Sequence, residues 1–144
     1  MKATTTKKLF SRQTEVSIEI QASPDAIWKR LTNSADVPRW NSTVISIEGD
    51  IKLGETIRLT SKLDPKRVFK LKVKELEPGK RLVWGDALGK REYLLTDRGN
   101  GTTVFEMRER IGGPFFPLFA RLIPSFDASF DQTAADLKRD VEGH

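Results

Sequence analysis

The sequence predicts an α+β fold, a seven-stranded antiparallel sheet covered by one long C-terminal helix. Three observations support this. From residue 43 to residue 111, short alternating segments follow one another between turns rich in Gly and Pro, the pattern of an antiparallel meander. Helical patterning interrupts the strands only after the first of them. The chain then closes with a polar, helix-favouring run that follows phenylalanines spaced at helical intervals. Such a sheet has one face to cover, and the terminal helix is the only long element able to cover it.

Taken in order, residues 14–20, TEVSIEI, place Val16, Ile18 and Ile20 on one side of a strand. Ser23 is positioned to cap a helix and Pro24 to open it, with Ile27, Trp28 and Leu31 at helical spacing. Residues 35–42, ADVPRWNS, read as a broken second helix or a loop. Strands are expected over 44–49, 55–61, 67–77, 81–87, 91–97 and 102–111. In the longest, Phe69, Leu71 and Val73 alternate with Lys70, Lys72 and Lys74, so one face is dry and the other charged. Turns fall at Pro78-Gly79 and at Gly99-Asn100-Gly101, and Gly112-Gly113-Pro114 stops the last strand. Phe115 and Phe116 lie in a lead-in segment before Pro117. Phe119, Leu122, Ile123, Phe126 and Phe130 then form one helical stripe, which Pro124 kinks or splits.

Composition narrows the function more than any motif does. The 144 residues suit one domain, and 38% hydrophobic with 31% charged residues is ordinary for a folded chain. No apolar run approaches a membrane span, and the N-terminus lacks the apolar core of a signal peptide, so a cytoplasmic location is expected. Cysteine is absent, and the single histidine is His144. Thiolate nucleophiles, Cys-based metal sites and histidine-based catalysis are therefore not expected, and no metal or cofactor is implied. The net charge of +5 is spread among acidic residues, which reads as a solvated surface and not a nucleic-acid footprint.

Cross-strand register places the candidate site. Pairing Val73 with Trp84, Trp84 with Tyr93 and Tyr93 with Met107 puts one apolar set on a single face: Ile57, Leu59, Phe69, Leu71, Val73, Leu82, Trp84, Tyr93, Leu95, Phe105 and Met107. The same pairing opposes Asp86 to Arg91 and Arg91 to Glu109 near one end of that face. An aromatic helix bent over a curved sheet can close at one end and stand off at the other, leaving an apolar pocket with a few polar groups. The alternatives are plain core packing for the aromatic residues and a structural ion network for the charged ones.

Several stretches in this order resemble the START, polyketide-cyclase and birch-pollen-allergen superfamily (SRPBCC): VSIEIQASPDAIWKRLTNSADVPRWNS, GETIRL, VKELEPGKRLVWGD, GNGTTVFEMRERIGG and the final helix. They cover about residues 12–142. The resemblance implies a helix-grip fold, a seven-stranded sheet wrapping the C-terminal helix with two short helices after the first strand. It also implies a cavity between sheet and helix for a small hydrophobic ligand. The expected lining is Trp40, Phe69, Leu71, Trp84, Tyr93, Phe105, Met107, Phe119, Ile123 and Phe126. Three functions fit. The first is a binder of a lipid, polyketide or aromatic molecule, with Asp86, Arg91 or Tyr93 holding its polar group. The second is an enzyme similar to polyketide cyclases, in which Tyr93 polarises a carbonyl, Asp86 or Glu109 acts as base and Arg91 steadies an enolate. The third is an interaction module similar to the Hsp90 activator domain, using the Lys70, Lys72 and Lys74 face.

Overall fold

The structure, a computed structural model, describes residues 2–143. Its sheet strands are β1 (Thr4–Lys7), β2 (Ser11–Ile20), β3 (Val44–Glu48), β4 (Thr56–Ser61), β5 (Asp64–Glu77), β6 (Arg81–Gly85), β7 (Gly89–Gly99) and β8 (Thr102–Gly112). They form one antiparallel sheet in the order β1-β2-β8-β7-β6-β5-β4-β3. Helices α1 (Pro24–Thr32) and α2 (Val37–Trp40) follow β2, and α3 (Phe116–Phe119) and α4 (Asp127–Glu142) follow β8. This is the helix-grip architecture, with α4 lying in the curve of the sheet. Ser23 caps α1 as its sequence suggests, its side chain accepting the Ala26 N–H, with Pro24 in the first turn.

Three details depart from expectation. The sheet has eight strands, not seven, because TTTK forms an edge strand. It carries no apolar alternation to signal this. Its pairing is polar instead: Thr5 lies opposite Thr14 with their hydroxyls 3.0 Å apart, and Thr5 also donates to Asp127. The Ala3 N–H reaches Asp131 Oδ1 at 2.6 Å, so carboxylates at the start of α4 hold the added strand.

The second departure is the β6–β7 register. Val73 opposes Trp84, Tyr93 opposes Met107, Arg91 opposes Glu109 and Leu95 opposes Phe105, as anticipated. Trp84, however, faces Arg91, and Leu82 faces Tyr93, an offset of two residues. Side chains alternate with period two, so this shift leaves each on the expected face. The cause is a tighter turn than expected. Asp86 closes the hairpin locally, and no Asp86–Arg91 pair forms. The inward face is otherwise as read, with Ile57, Val73, Leu82, Phe105 and Met107 inaccessible and Trp84, Tyr93 and Leu95 buried.

The third is the terminal helix, where of the two outcomes expected at Pro124 the split is the one found and the single stripe is lost with it. α3 runs into a 3-10 turn over Ala120–Leu122, the chain is extended at Ile123, and α4 begins only after Phe126. Pro124 therefore splits the element, and Leu122 ends up 82% exposed. α4 packs instead through Phe130, Thr133, Ala134 and Leu137, at helical spacing along its buried face.

α2 is clipped to α4 by charge. Arg39 donates to Asp140 Oδ1 at 2.6 Å and to Asp36 Oδ1 at 2.8 Å, and Arg30 reaches Asp140 at 3.3 Å. Hydrogen bonding from Arg39 is the main reason both carboxyls titrate below their ordinary 3.8. A carboxyl depressed in the folded state stabilises above its unfolded pKa, and that contribution is lost as pH falls through the folded value. Asp140→Asn is accordingly expected to melt below the wild type at neutral pH, with the gap closing in strong acid. Thermal melts across that range test this; a gap independent of pH would assign the loss to packing alone.

Candidate functional site

The broken helix leaves a cavity of about 440 Å³ between itself and the sheet. Phe69 and Leu71 of β5 and Trp84 of β6 form its sheet wall. Phe119, Ile123, Pro124 and Phe126 close it from the helix side. Thr43 and Val44 border one flank, and Leu63, Leu88 and Leu122, all exposed, stand at its rim. Gly85 lines the wall where β6 meets the turn, and a Cβ there would lie 2.3 Å from the Gly89 carbonyl oxygen. The hairpin can pass this closely only because that residue is glycine.

Sequence reasoning nominated ten lining residues, and the structure divides them. Phe69, Leu71, Trp84, Phe119, Ile123 and Phe126 border the cavity. Trp40, Tyr93, Phe105 and Met107 do not; they are buried in the packed core beside it. Trp40 belongs to α2, where its indole N–H is buried without a hydrogen-bond partner among the described residues. Tyr93 packs edge-on against Trp84, ring centroids 5.2 Å apart, and lies tilted against Phe105 at 6.2 Å.

The four polar candidates also separate. Arg91 and Glu109 line the cavity and pair, Nε to Oε1, at 2.8 Å. Their side chains retain 22% and 16% accessibility, and both border the cavity. The Arg91 guanidinium also sits over the Phe130 ring at 5.1 Å. Burial pulls the Arg91 pKa down, but the Glu109 charge and the Tyr93 hydroxyl outweigh it, so it ends above the ordinary arginine value. Burial raises the Tyr93 pKa, with Arg91 opposing. Asp86 borders the cavity too, but its Oδ1 accepts the Leu88 and Gly89 N–H groups, each at 2.9 Å, and closes the turn.

Arg12 was missed from sequence. It is 8% exposed, and its two terminal nitrogens donate to the carbonyls of Ile123 (3.1 Å) and Pro124 (2.8 Å) while its guanidinium covers the Phe126 ring at 5.0 Å. It thus fixes the extended break that forms the cavity roof. Burial lowers its pKa, against the charges of Glu109 and Asp127. Its signal was available, since Arg12 shares strand parity with buried Thr14 and Val16. The wall offers apolar contact on both sides and, besides exposed Asp64 and Arg67, one part-buried charged pair that can donate and accept hydrogen bonds. Among the described residues no three His, Cys, Asp or Glu side chains converge as a metal site. No helix there is long and apolar enough to cross a membrane.

Solved structures share this fold. A Rhodobacter sphaeroides protein aligns over 99% of both chains at 18% identity, with a TM-score of 0.72. Truncated norcoclaurine synthase from Thalictrum flavum aligns over 96% of this chain and 99% of its own at 14% identity, with a TM-score of 0.68. A START superfamily protein from Mycobacterium smegmatis covers 91% of this chain and 97% of its own at 15% identity, TM-score 0.67. At such identities the likeness establishes the fold alone. No curated protein matches in sequence. The family model described as polyketide cyclase / dehydrase and lipid transport matches residues 11–142, every strand of the sheet but β1 together with the terminal helix. The chain therefore belongs to the polyketide cyclase / dehydrase and lipid transport family, within the SRPBCC superfamily.

Proposed function

We propose that the protein binds a small, mainly apolar molecule in this cavity and holds a neutral polar group of it, a carbonyl or hydroxyl, at the Arg91–Glu109 pair. The observation that carries this is the pair itself, part-buried beside Phe69, Leu71, Trp84 and Phe126, whereas Asp64 and Arg67 of the same lining are exposed and Asp86 is taken up by its turn. A guanidinium has five donors. Glu109 takes the Nε–H and the Tyr93 hydroxyl engages the guanidinium as well, and the donors left over and the second Glu109 oxygen can serve a ligand. A volume of about 440 Å³ suits a drug-sized molecule. Binding fits the polar groups better than proton transfer does. Arg91 is held charged and Tyr93 neutral, Asp86 is engaged in its turn, and Glu109 is tied to Arg91.

Native mass spectrometry of the purified protein is the test. A discrete added mass that disappears on denaturation is expected, and fragmentation of the released molecule should show an apolar skeleton bearing an oxygen function. An unliganded mass, together with no change in tryptophan emission on adding long-chain alcohols or aromatic ketones, would overturn the reading. Trp84 reports the cavity because the other tryptophans, Trp28 and Trp40, lie outside its wall.

A further inference from the structure

The cavity mouth lies at one end of the sheet, and that end has an unusual surface. Ser11 pairs with Gly112 and Gly89 with Ile111, so the β1–β2 turn, the β6–β7 turn and the segment after β8 are neighbours. The Gly112 N–H donates to the Leu88 carbonyl and the Gly113 N–H to that of Phe10, tying the three together. The β4–β5 turn borders the same cavity, whose lining includes Leu63 and Arg67 together with Asp86 and Leu88. Loop tips here carry Leu9, Phe10, Leu63 and Leu88, and the segment after β8 adds Phe115, Leu118 and Leu122. These are seven of the ten exposed large apolar side chains among the described residues, and Leu118 and Leu122 are each 82% accessible.

Charge concentrates at the same end. Segments 7–10, 62–67, 86–90 and 110–122 hold eight Lys and Arg against Asp64 and Asp86, a net +6, whereas the whole chain carries +5. All eight basic residues are exposed. Lys7, Lys8 and Arg121 border one hollow with Leu9 and Phe116, so cation and apolar side chain alternate over short distances.

We propose that this end of the molecule docks on an anionic lipid bilayer. Protruding Leu and Phe side chains ringed by Lys and Arg match the boundary between anionic headgroups and acyl chains, where both kinds of contact are favourable. A nucleic acid would complement the charge but leave the apolar belt without a partner. Docked this way, the cavity mouth opens onto the bilayer. Docking itself does not rest on the cavity being occupied.

Vesicle flotation with the full chain tests this. Vesicles of phosphatidylcholine mixed with phosphatidylglycerol should bind at least about tenfold more tightly than phosphatidylcholine alone, and added salt should weaken that binding. Lys7→Glu/Lys8→Glu and Leu118→Ser/Leu122→Ser should each reduce it on the order of tenfold. All four positions are exposed, so these variants keep their fold, which circular dichroism verifies. Lys70→Glu/Lys72→Glu makes the same charge change on the outer face of β5 and should bind like wild type. Equal binding to both vesicles, no binding, or equal loss in the β5 variant would overturn the proposal. Native mass spectra of the same preparations read cavity occupancy separately. A filled cavity without flotation refutes docking alone, and flotation with an empty cavity whose tryptophan emission also ignores the added alcohols and ketones refutes ligand binding alone.

Discussion

Asp136→Ala is expected to destabilise the fold by about 2–5 kcal/mol, the cost of leaving several part-buried donors without their acceptor. Asp136 is inaccessible, although it sits in a helix of largely polar sequence. Its Oδ2 accepts the Ser42 N–H at 2.8 Å and the Ser42 hydroxyl at 2.6 Å. Its Oδ1 accepts Gln132 Nε2 at 2.7 Å and Arg139 at 2.9 Å. Arg139 is 61% exposed, so that ion pair contributes little. The loss comes from the Ser42 donors, left in a part-buried site where water does not readily replace the carboxylate. Against a typical total of roughly 5–15 kcal/mol this is a large fraction. Asp136→Asn should fall between alanine and wild type, since one acceptor remains, and Arg139→Ala should sit close to wild type. Urea unfolding measures all three. An alanine variant within 1 kcal/mol of wild type, on the roughly 1 kcal/mol scale of a single exchanged hydrogen bond, would show that Ser42 finds other partners. The effect should reach the site, because the junction that Ser42 anchors continues directly into Thr43 and Val44 on the cavity flank.

Asp136 also shows where sequence reasoning stops. The sheet was legible because its strands state their period. Phe69, Leu71 and Val73 against three lysines leave one choice of face, and a register error of two between β6 and β7 did not alter it. β1 was not legible, because four polar residues show no alternation and become a strand by pairing with β2, held by contacts to Asp127 and Asp131 more than a hundred positions away. The terminal stripe misled for a related reason. Spacings of three and four presuppose an unbroken helix, and once Pro124 ends it, Phe119 and Leu122 answer to different surroundings from Phe130. Within the site, Arg91 opposite Glu109 followed from register alone. Which aromatic residues border space and which fill the core did not. Trp84 and Tyr93 share a face and touch, yet only Trp84 reaches the cavity. That depends on how far the broken helix stands off, which no local pattern encodes.

Arg91→Met should separate the ligand's polar group from its apolar body. Methionine keeps much of the arginine stem, so the wall stays covered, but it supplies no donors. Two probes of nearly the same shape are useful here, 2-acetylnaphthalene and 2-isopropenylnaphthalene, which differ in the carbonyl oxygen. A hydrogen bond to a charged group contributes about 1.5–3 kcal/mol, so the acetyl probe should lose on the order of tenfold to a hundredfold in affinity. The isopropenyl probe should change by less than about twofold, since its apolar contacts remain. Equilibrium dialysis gives both constants. Equal losses would mean that Arg91 shapes the cavity and does not contact the ligand. The variant also leaves Glu109 in the wall without its partner, a stability cost of about 3 kcal/mol. Glu109→Gln in the same chain should recover part of it, so the two substitutions should be non-additive by about 1–3 kcal/mol. That coupling reads the ion pair in the empty protein and the probe ratio reads recognition. A structural ion pair would give the first without the second, whereas a recognition element built on that pair gives both.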